Sequence, residues 1–391
     1  MEAHKSKRQC RTIERGIMTD RIYGAGRYLF ILNVFVLSCL VVSCTHIDRP
    51  SEIIGKSSTY INWGENPPPA QDRARHTIIG KQPFEWWYFD GHLDTGETFV
   101  GVFLDPNFTT GKPGVAFSLY SPDWKKQTIL KTLGANDMQS SFEDVDISCP
   151  LGFVKRIDDK TYHVQWKMEG ITADFMLTTL APGWRPTGGD GVNEDPLNFF
   201  WAVHQARNRI EGTITKDGQT RHVTGIGYAD HNWGKKPLNE ITRKWVWGRI
   251  LSGEYTIIYA DVDYLDPSIK SRPLYIAKGD TMIVGAGSPT IRQWDFVTHP
   301  VLQRHYPRQI SIDFAQNEVE AHLHITLKAL VEDVDLLTVS GLNPITQWIA
   351  RTFVARPTYF RVIADYDGTI TEYGNTTPIK GECLYEVMGF E

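Results

Sequence analysis

Three short segments hold the residues best suited to chemistry: Glu85–Leu93 (EWWYFDGHL), Gly225–Gly234 (GIGYADHNWG) and Lys244–Ile250 (KWVWGRI). Side chains of an extended strand alternate between its two faces. Tyr228, Asp230 and Asn232 then share one face, and Gly227, Ala229, His231 and Trp233 share the other. Trp245, Trp247 and Arg249 fall together on a face of the third segment, and Trp201 precedes Tyr228 by one hairpin's length. A carboxyl group set among indoles and a phenol has its charged form disfavoured by desolvation, so its pKa should rise. Held neutral, such an acid can protonate a weak base, even an alkene, and the aromatic faces can stabilise a carbocation by cation–π attraction. Asp230 is the candidate acid, with Tyr228 and Trp201 beside it. Trp245, Trp247, Arg249, Glu85 and Trp87 are the candidate ligand-binding residues. Two alternatives stay open: Asp230 as a structural carboxylate bonded to loop amides or paired with Arg249, and the Trp86–Trp87–Tyr88 cluster as core, with Glu85 anchoring a turn or crossing the domain interface. Gly225, Gly227 and Ala229 leave room for close backbone or ligand approach.

Other chemistries lack their signals. No G-x-S-x-G elbow, H-E-x-x-H, C-x-x-C, G-x-G-x-x-G or G-x-x-x-x-G-K-[ST] occurs. His322 and His324 lie two apart on one strand face, and a solvated outer face explains them better than a metal pair. No metal and no cofactor is expected. The 391 residues carry a net charge of -5, of which the first 27 hold +4, leaving -9 for the rest. An acidic body without a basic stripe is a poor partner for nucleic acid.

The elements that position these residues read as β. At 41% hydrophobic and 12% aromatic, the composition is that of a globular chain with room for two domains. Over Val319–Val331 the odd positions are all apolar and most even positions polar, which fits a strand with one buried face. Similar alternation recurs in 99–104, 162–168, 244–251 and 256–264. Lys216-Asp217-Gly218 and Asp365-Tyr366-Asp367-Gly368 read as hairpin connections. One short helix is expected over Pro344–Phe353, and the Gly- and Pro-rich stretch Ala181–Asn198 reads as a lid, a binding loop or a disordered segment. The expected class is all-β: two antiparallel barrels packed together, over 75–240 and 241–391.

Residues 1–43 read as a lipoprotein-type signal peptide, with an uncleaved anchor as the alternative; both put the body outside the cytoplasm. A basic stretch precedes the uncharged run Tyr28–Val42, which is shorter than the ~20 residues of a membrane span. The run ends Val41-Val42-Ser43-Cys44, a lipobox-like sequence that marks Cys44 for lipidation, and 44–74 reads as a tether. The expected location is the cell envelope, periplasmic or extracellular side, on a lipid anchor. Cys149 and Cys383 remain in the body, where a disulfide or two free thiols are both open.

The three aromatic motifs, in this order, resemble the family of carotenoid 1,2-hydratase (hydroxyneurosporene synthase), fungal kievitone hydratase, the AttH-type proteins and the lipocalin-like Diels–Alderases. The resemblance covers roughly residues 75–390. It implies two packed lipocalin-like barrels with an apolar ligand pocket. In the hydratase branch a Tyr-x-Asp and an upstream tryptophan protonate an isoprenoid double bond before water adds. The residues that match are Tyr228, Asp230 and, by spacing, Trp201. The reading that follows is a cofactor-independent hydratase or isomerase acting on an apolar isoprenoid- or polyketide-like molecule. The alternatives are a lipoprotein that carries a lipophile without converting it, and an envelope structural or interaction protein.

Overall fold

Long alternating segments with turn residues between them fold here into two antiparallel sheets that share one apolar seam. The computed structural model describes residues 68–107, 110–185, 199–267, 269–339 and 356–390. The leader, Cys44, the tether to residue 67, residues 186–198 of the expected loop and the helix expected over Pro344–Phe353 lie outside the described residues. The first sheet contains β1 (Phe84–Leu93), β2 (Thr98–Leu104), β3 (Gly114–Tyr120), β4 (Lys126–Thr132), β5 (Gln139–Ser140), β6 (Asp146–Cys149), β7 (Gly152–Arg156), β8 (Thr161–Met168), β9 (Ile171–Ala181), β10 (Phe199–Lys216) and β11 (Gln219–Gly234). The second contains β12 (Thr242–Ser252), β13 (Tyr255–Tyr264), β14 (Lys270–Ser271), β15 (Leu274–Lys278), β16 (Thr281–Gly287), β17 (Thr290–Thr298), β18 (His305–Gln316), β19 (Val319–Asp335), β20 (Thr358–Glu372) and β21 (Asn375–Gly389). A four-residue helix, α1 (Leu336–Val339), follows β19. Among the described residues no helix is long and apolar enough to cross a membrane.

Both sheets are built on the same plan. The first runs β4-β3-β2-β1-β11-β10-β9-β8-β7-β6-β5, and the second runs β16-β15-β13-β12-β21-β20-β19-β18-β17. In each, the first strand pairs with the last: Tyr88 lies opposite Asp230, and Trp247 opposite Glu386. Each sheet curls around its own core. Trp166 centres the first, with the rings of Phe89, Phe99, Phe103 and Phe117 at 5.3 to 5.9 Å. Val246, Ile257, Tyr259, Ile310 and Tyr385 build the second. A third cluster, including Val203, Tyr228, Trp247, Ile258 and Leu384, lies between the sheets. Contacts across this seam make the described part of the body one compact unit.

Several local readings are resolved. Asp217 and Gly218, at φ +52° and +79°, make the tight turn joining β10 to β11. Asp365–Gly368 is no turn. It lies inside β20, and Tyr373 and Gly374, both at positive φ, turn the chain instead. Gly368 is required there because a Cβ would overlap the His322 carbonyl of β19. Along β19 strict alternation holds to Ile325 and is then broken by bulges near Leu327 and Leu330. Cys149 and Cys383 are free thiols. At Gly227 a Cβ would overlap the Asp90 carbonyl, so this glycine lets β1 and β11 approach closely and does not make room for a ligand.

Candidate active site

Pairing of β10 with β11 brings three side chains onto one carboxyl group in the seam. Asp230 is 6% exposed. Its Oδ2 accepts from the Trp201 indole Nε1–H at 2.9 Å and from the Tyr228 hydroxyl at 2.8 Å. Its Oδ1 accepts from the Asn232 amide at 2.9 Å. None of these donors is charged. Burial pushes the Asp230 carboxyl up to about 8, aided by the charges of Glu386 and Asp90 and opposed by the Tyr228 and Trp201 bonds. Desolvation outweighs the hydrogen bonds, so the group is mainly a neutral acid at pH 7. The fully buried Tyr228 has its hydroxyl raised well above the usual range by burial first, then by Asp230.

Trp247 comes from the facing sheet, its ring 5.1 Å from Tyr228 and 6.1 Å from Tyr88. Its buried indole N–H has no hydrogen-bond partner among the described residues. Trp201 packs edge-on against Trp184 at 5.4 Å. Trp245 shares the face of Trp247 but sits further along the seam, with Phe199 at 5.7 Å and Phe390 at 5.6 Å. Two cavities open elsewhere. One of about 350 Å³ is bordered by Lys244, Asp261, Arg272 and Phe296, and one of about 260 Å³ by Gly253, Lys278 and Pro378. None of Trp201, Tyr228, Asp230, Trp245 and Trp247 lines either cavity.

Arg249 turns to Asp90, with Nη2 2.7 Å from Oδ1. A buried network continues from there. Arg361 of β20 lies 3.3 Å from Asp90 and 2.6 Å from Glu386, and donates to the Tyr88 hydroxyl at 2.9 Å. The Tyr88 hydroxyl is 3.0 Å from both Asp90 and Glu386, and the Tyr359 hydroxyl donates to Glu386 at 2.6 Å. Two carboxylates and two guanidiniums thus balance beside the uncharged cage of Asp230. Sequence reasoning missed Tyr88, Asp90, Arg361 and Glu386 as a group. Alternation could have placed Tyr88 and Asp90 on one face, but nothing near Arg361 or Glu386 marks them.

Glu85 and Trp87, expected at the ligand site, occupy the other face of β1, because odd positions of that strand point into the first sheet's core. Trp87 is fully buried, donates to the Arg73 carbonyl at 3.0 Å and stacks on His231 at 4.3 Å. Glu85 is fully buried between His76 and His231. His322 and His324 are solvated, as read, with His322 Nδ1 3.0 Å from Asp313.

No family model matches the chain. It is 27% identical over 242 residues to the quinolone epoxide rearrangement protein asqO of Emericella nidulans, covering 55% of this chain and 64% of that protein. The matched part is therefore less than two thirds of that relative. A second match is the quinolone epoxide rearrangement protein penF of Penicillium thymicola, 25% identical over 95 residues, covering 24% of this chain and 26% of that protein. Among solved structures, an AttH protein of Nitrosomonas europaea superposes with a TM-score of 0.59 at 17% identity, covering 85% of this chain and all of that one. CghA, solved with Sch210972, gives 0.57 at 10% identity, over 85% and 97% of the two chains. Kievitone hydratase of Nectria haematococca gives 0.51 at 12% identity, over 85% and 98%. The fold is the lipocalin-like one of the AttH-type proteins, as the three motifs implied.

Proposed function

We propose that this chain is a cofactor-independent acid catalyst of the hydratase or isomerase type, acting on an apolar isoprenoid- or polyketide-like molecule, with Asp230 as proton donor. One observation carries the reading: Asp230 is a buried carboxyl group held by three uncharged donors, while the nearby Arg249 is engaged by Asp90. An acid of pKa about 8 stays protonated at neutral pH but is a weak acid. That weakness favours transfer to oxygen concerted with bond cleavage over full protonation of an unactivated alkene. An epoxide suits it, in keeping with the named activity of the two curated relatives. The Asp230 O–H gives its proton to the epoxide oxygen as the C–O bond breaks, leaving a hydroxyl and an adjacent carbocation. The Asp230 carboxylate then recovers a proton from the neighbouring carbon, giving an alkene, or from an attacking water, giving a diol. The same acid serves an activated double bond, where proton addition and water attack complete a hydration. The rings of Tyr228, Trp247 and Trp201 supply faces toward the cation, and the unpartnered Trp247 N–H is free to hold an acceptor on the ligand.

Localisation belongs to the same proposal: Cys44 anchors the body to a membrane through a lipid. The test pairs two measurements. Mass spectrometry identifies the lipophile that co-purifies with the protein, and that compound, with epoxide and alkene analogues, is incubated with wild type and Asp230→Asn. Product from wild type alone supports the acid role. Equal turnover by Asp230→Asn overturns it, and tight binding with no conversion by either favours a carrier.

A further inference from the structure

On the far side of β11 from Asp230, three side chains converge that the proposed reaction does not use. Glu85 Oε1 lies 2.8 Å from His76 Nδ1 and 2.9 Å from His231 Nε2. All three ligand atoms lie within 4.8 Å of one another. Glu85 and His231 are fully buried, and the His76 side chain is 8% exposed. The second nitrogen of His231, Nδ1, is 2.9 Å from the carbonyl oxygen of Asp72. A carbonyl can only accept, so Nδ1 carries the hydrogen. In the neutral imidazole the Nε2 lone pair then faces the Glu85 oxygen. Two electron-rich atoms at 2.9 Å need something positive between them, either a shared proton or a cation.

The geometry favours a cation. An imidazole whose far N–H is fixed by a backbone carbonyl is the usual supporting arrangement of a metal-bound histidine. The carboxylate oxygen lies 2.8 and 2.9 Å from the two imidazole nitrogens, close enough for one ion with bonds of about 2.0–2.2 Å to reach all three after small side-chain shifts. The rings are also held in place. His231 stacks on Trp87 at 4.3 Å, and His76 on Trp233 at 3.9 Å, with the two imidazoles 5.3 Å apart. The His76 backbone N–H donates to Glu85 at 3.0 Å, which orients the carboxylate.

We propose that His76, Glu85 and His231 form a site for a divalent transition-metal ion of the zinc or ferrous type, bound by two imidazoles and one carboxylate. Its seclusion makes the role structural: the ion ties the segment that precedes β1 to β1 and to β11, the strand that carries Asp230 on its opposite face. The site is independent of the acid-catalysis reading.

The test strips the full chain with a chelator, dialyses it and titrates it with Zn²⁺ by calorimetry, then with Co²⁺ by visible absorption. Wild type should bind one equivalent of Zn²⁺, and X-ray absorption should find two imidazoles in its coordination shell. His76→Asn keeps a donor near the position of Nδ1 but is a poor ligand. It and Glu85→Gln should weaken binding by at least tenfold, with circular dichroism unchanged, whereas His322→Asn should bind as wild type does. The wild-type absorption measurement decides the matter even if a variant fails to fold. No binding by wild type, a shell without imidazole, or unchanged affinity in folded His76→Asn would overturn the site and leave a proton shared between Glu85 and His231.

Discussion

Arg249 reaches across the seam to Asp90, at 2.7 Å, and leaves Asp230 to uncharged donors. Had the guanidinium met Asp230, that carboxylate would be ionised at every working pH. The two aspartates lie on neighbouring strands, so the partition of one cation between them sets which is a counter-ion and which can hold a proton.

Replacement of Asp230 by Asn removes the acid and keeps the volume. Turnover should fall by about 100-fold or more, the usual loss for general acid catalysis, with ligand affinity nearly unchanged. Steady-state kinetics together with equilibrium binding of the identified lipophile would check both halves. Tyr228→Phe should cost less, since Trp201 and Asn232 still orient the carboxyl group.

Activity should be flat near neutrality and decline as pH rises through about 8, where Asp230 loses its proton. Trp201→Phe deletes a donor that favours the ionised form, so the declining limb should move to higher pH. A pH–rate profile in which wild type and Trp201→Phe decline together would contradict this role.

Stability carries the same signature. Unfolded, Asp230 ionises near its ordinary value of 3.8; folded, near 8. Between these values the folded chain holds a proton that the unfolded chain lacks, so the contribution of this group falls as pH rises from about 4 to about 8 and then levels off. Asp230→Asn has no such dependence. Its melting temperature, relative to wild type, should therefore rise across that window in thermal scans.

Arg361→Leu leaves Asp90 with Arg249 but strips Glu386 of its only guanidinium partner among the described residues. Removing one partner of a buried ionic group costs about 3–5 kcal/mol, and urea denaturation should show a loss of that size. Arg361→Lys should recover part of it, since it restores the charge but not the forked contact to both carboxylates.

Cys44→Ser should abolish acylation and free the body from the membrane fraction. Metabolic labelling with a fatty acid, followed by fractionation of wild type and variant, is the direct measurement.

Alternation made the strands legible, because a face buried in a curled sheet demands an apolar residue at every second position, and it correctly set Tyr228, Asp230 and Asn232 side by side. It could not say which face of β1 meets the seam, so Glu85 and Trp87 were assigned to the ligand site when they belong to the core side. Partners from distant strands were equally hidden. Asp90 with Arg249, and Arg361 with Glu386, are set by register and by the packing of one sheet on the other, which no local pattern encodes. The Asp365–Gly368 segment misled for a related reason: its glycine answers a neighbouring strand and not a bend in its own backbone. The ligands His76, Glu85 and His231 sit on three separate segments and follow no spacing motif.

Pairing of the first strand with the last in each sheet has a consequence for how the protein is made. The edge of β1 that carries EWWYF has β11 as its partner, roughly 150 residues later in the chain. At about 5–20 residues per second of synthesis, that apolar edge waits on the order of ten seconds for its mate. Over that interval it is a sticky template for other nascent chains. Yield of folded protein should therefore be limited less by the stability of the finished protein than by whatever shields this one strand until β11 is free to pair with it.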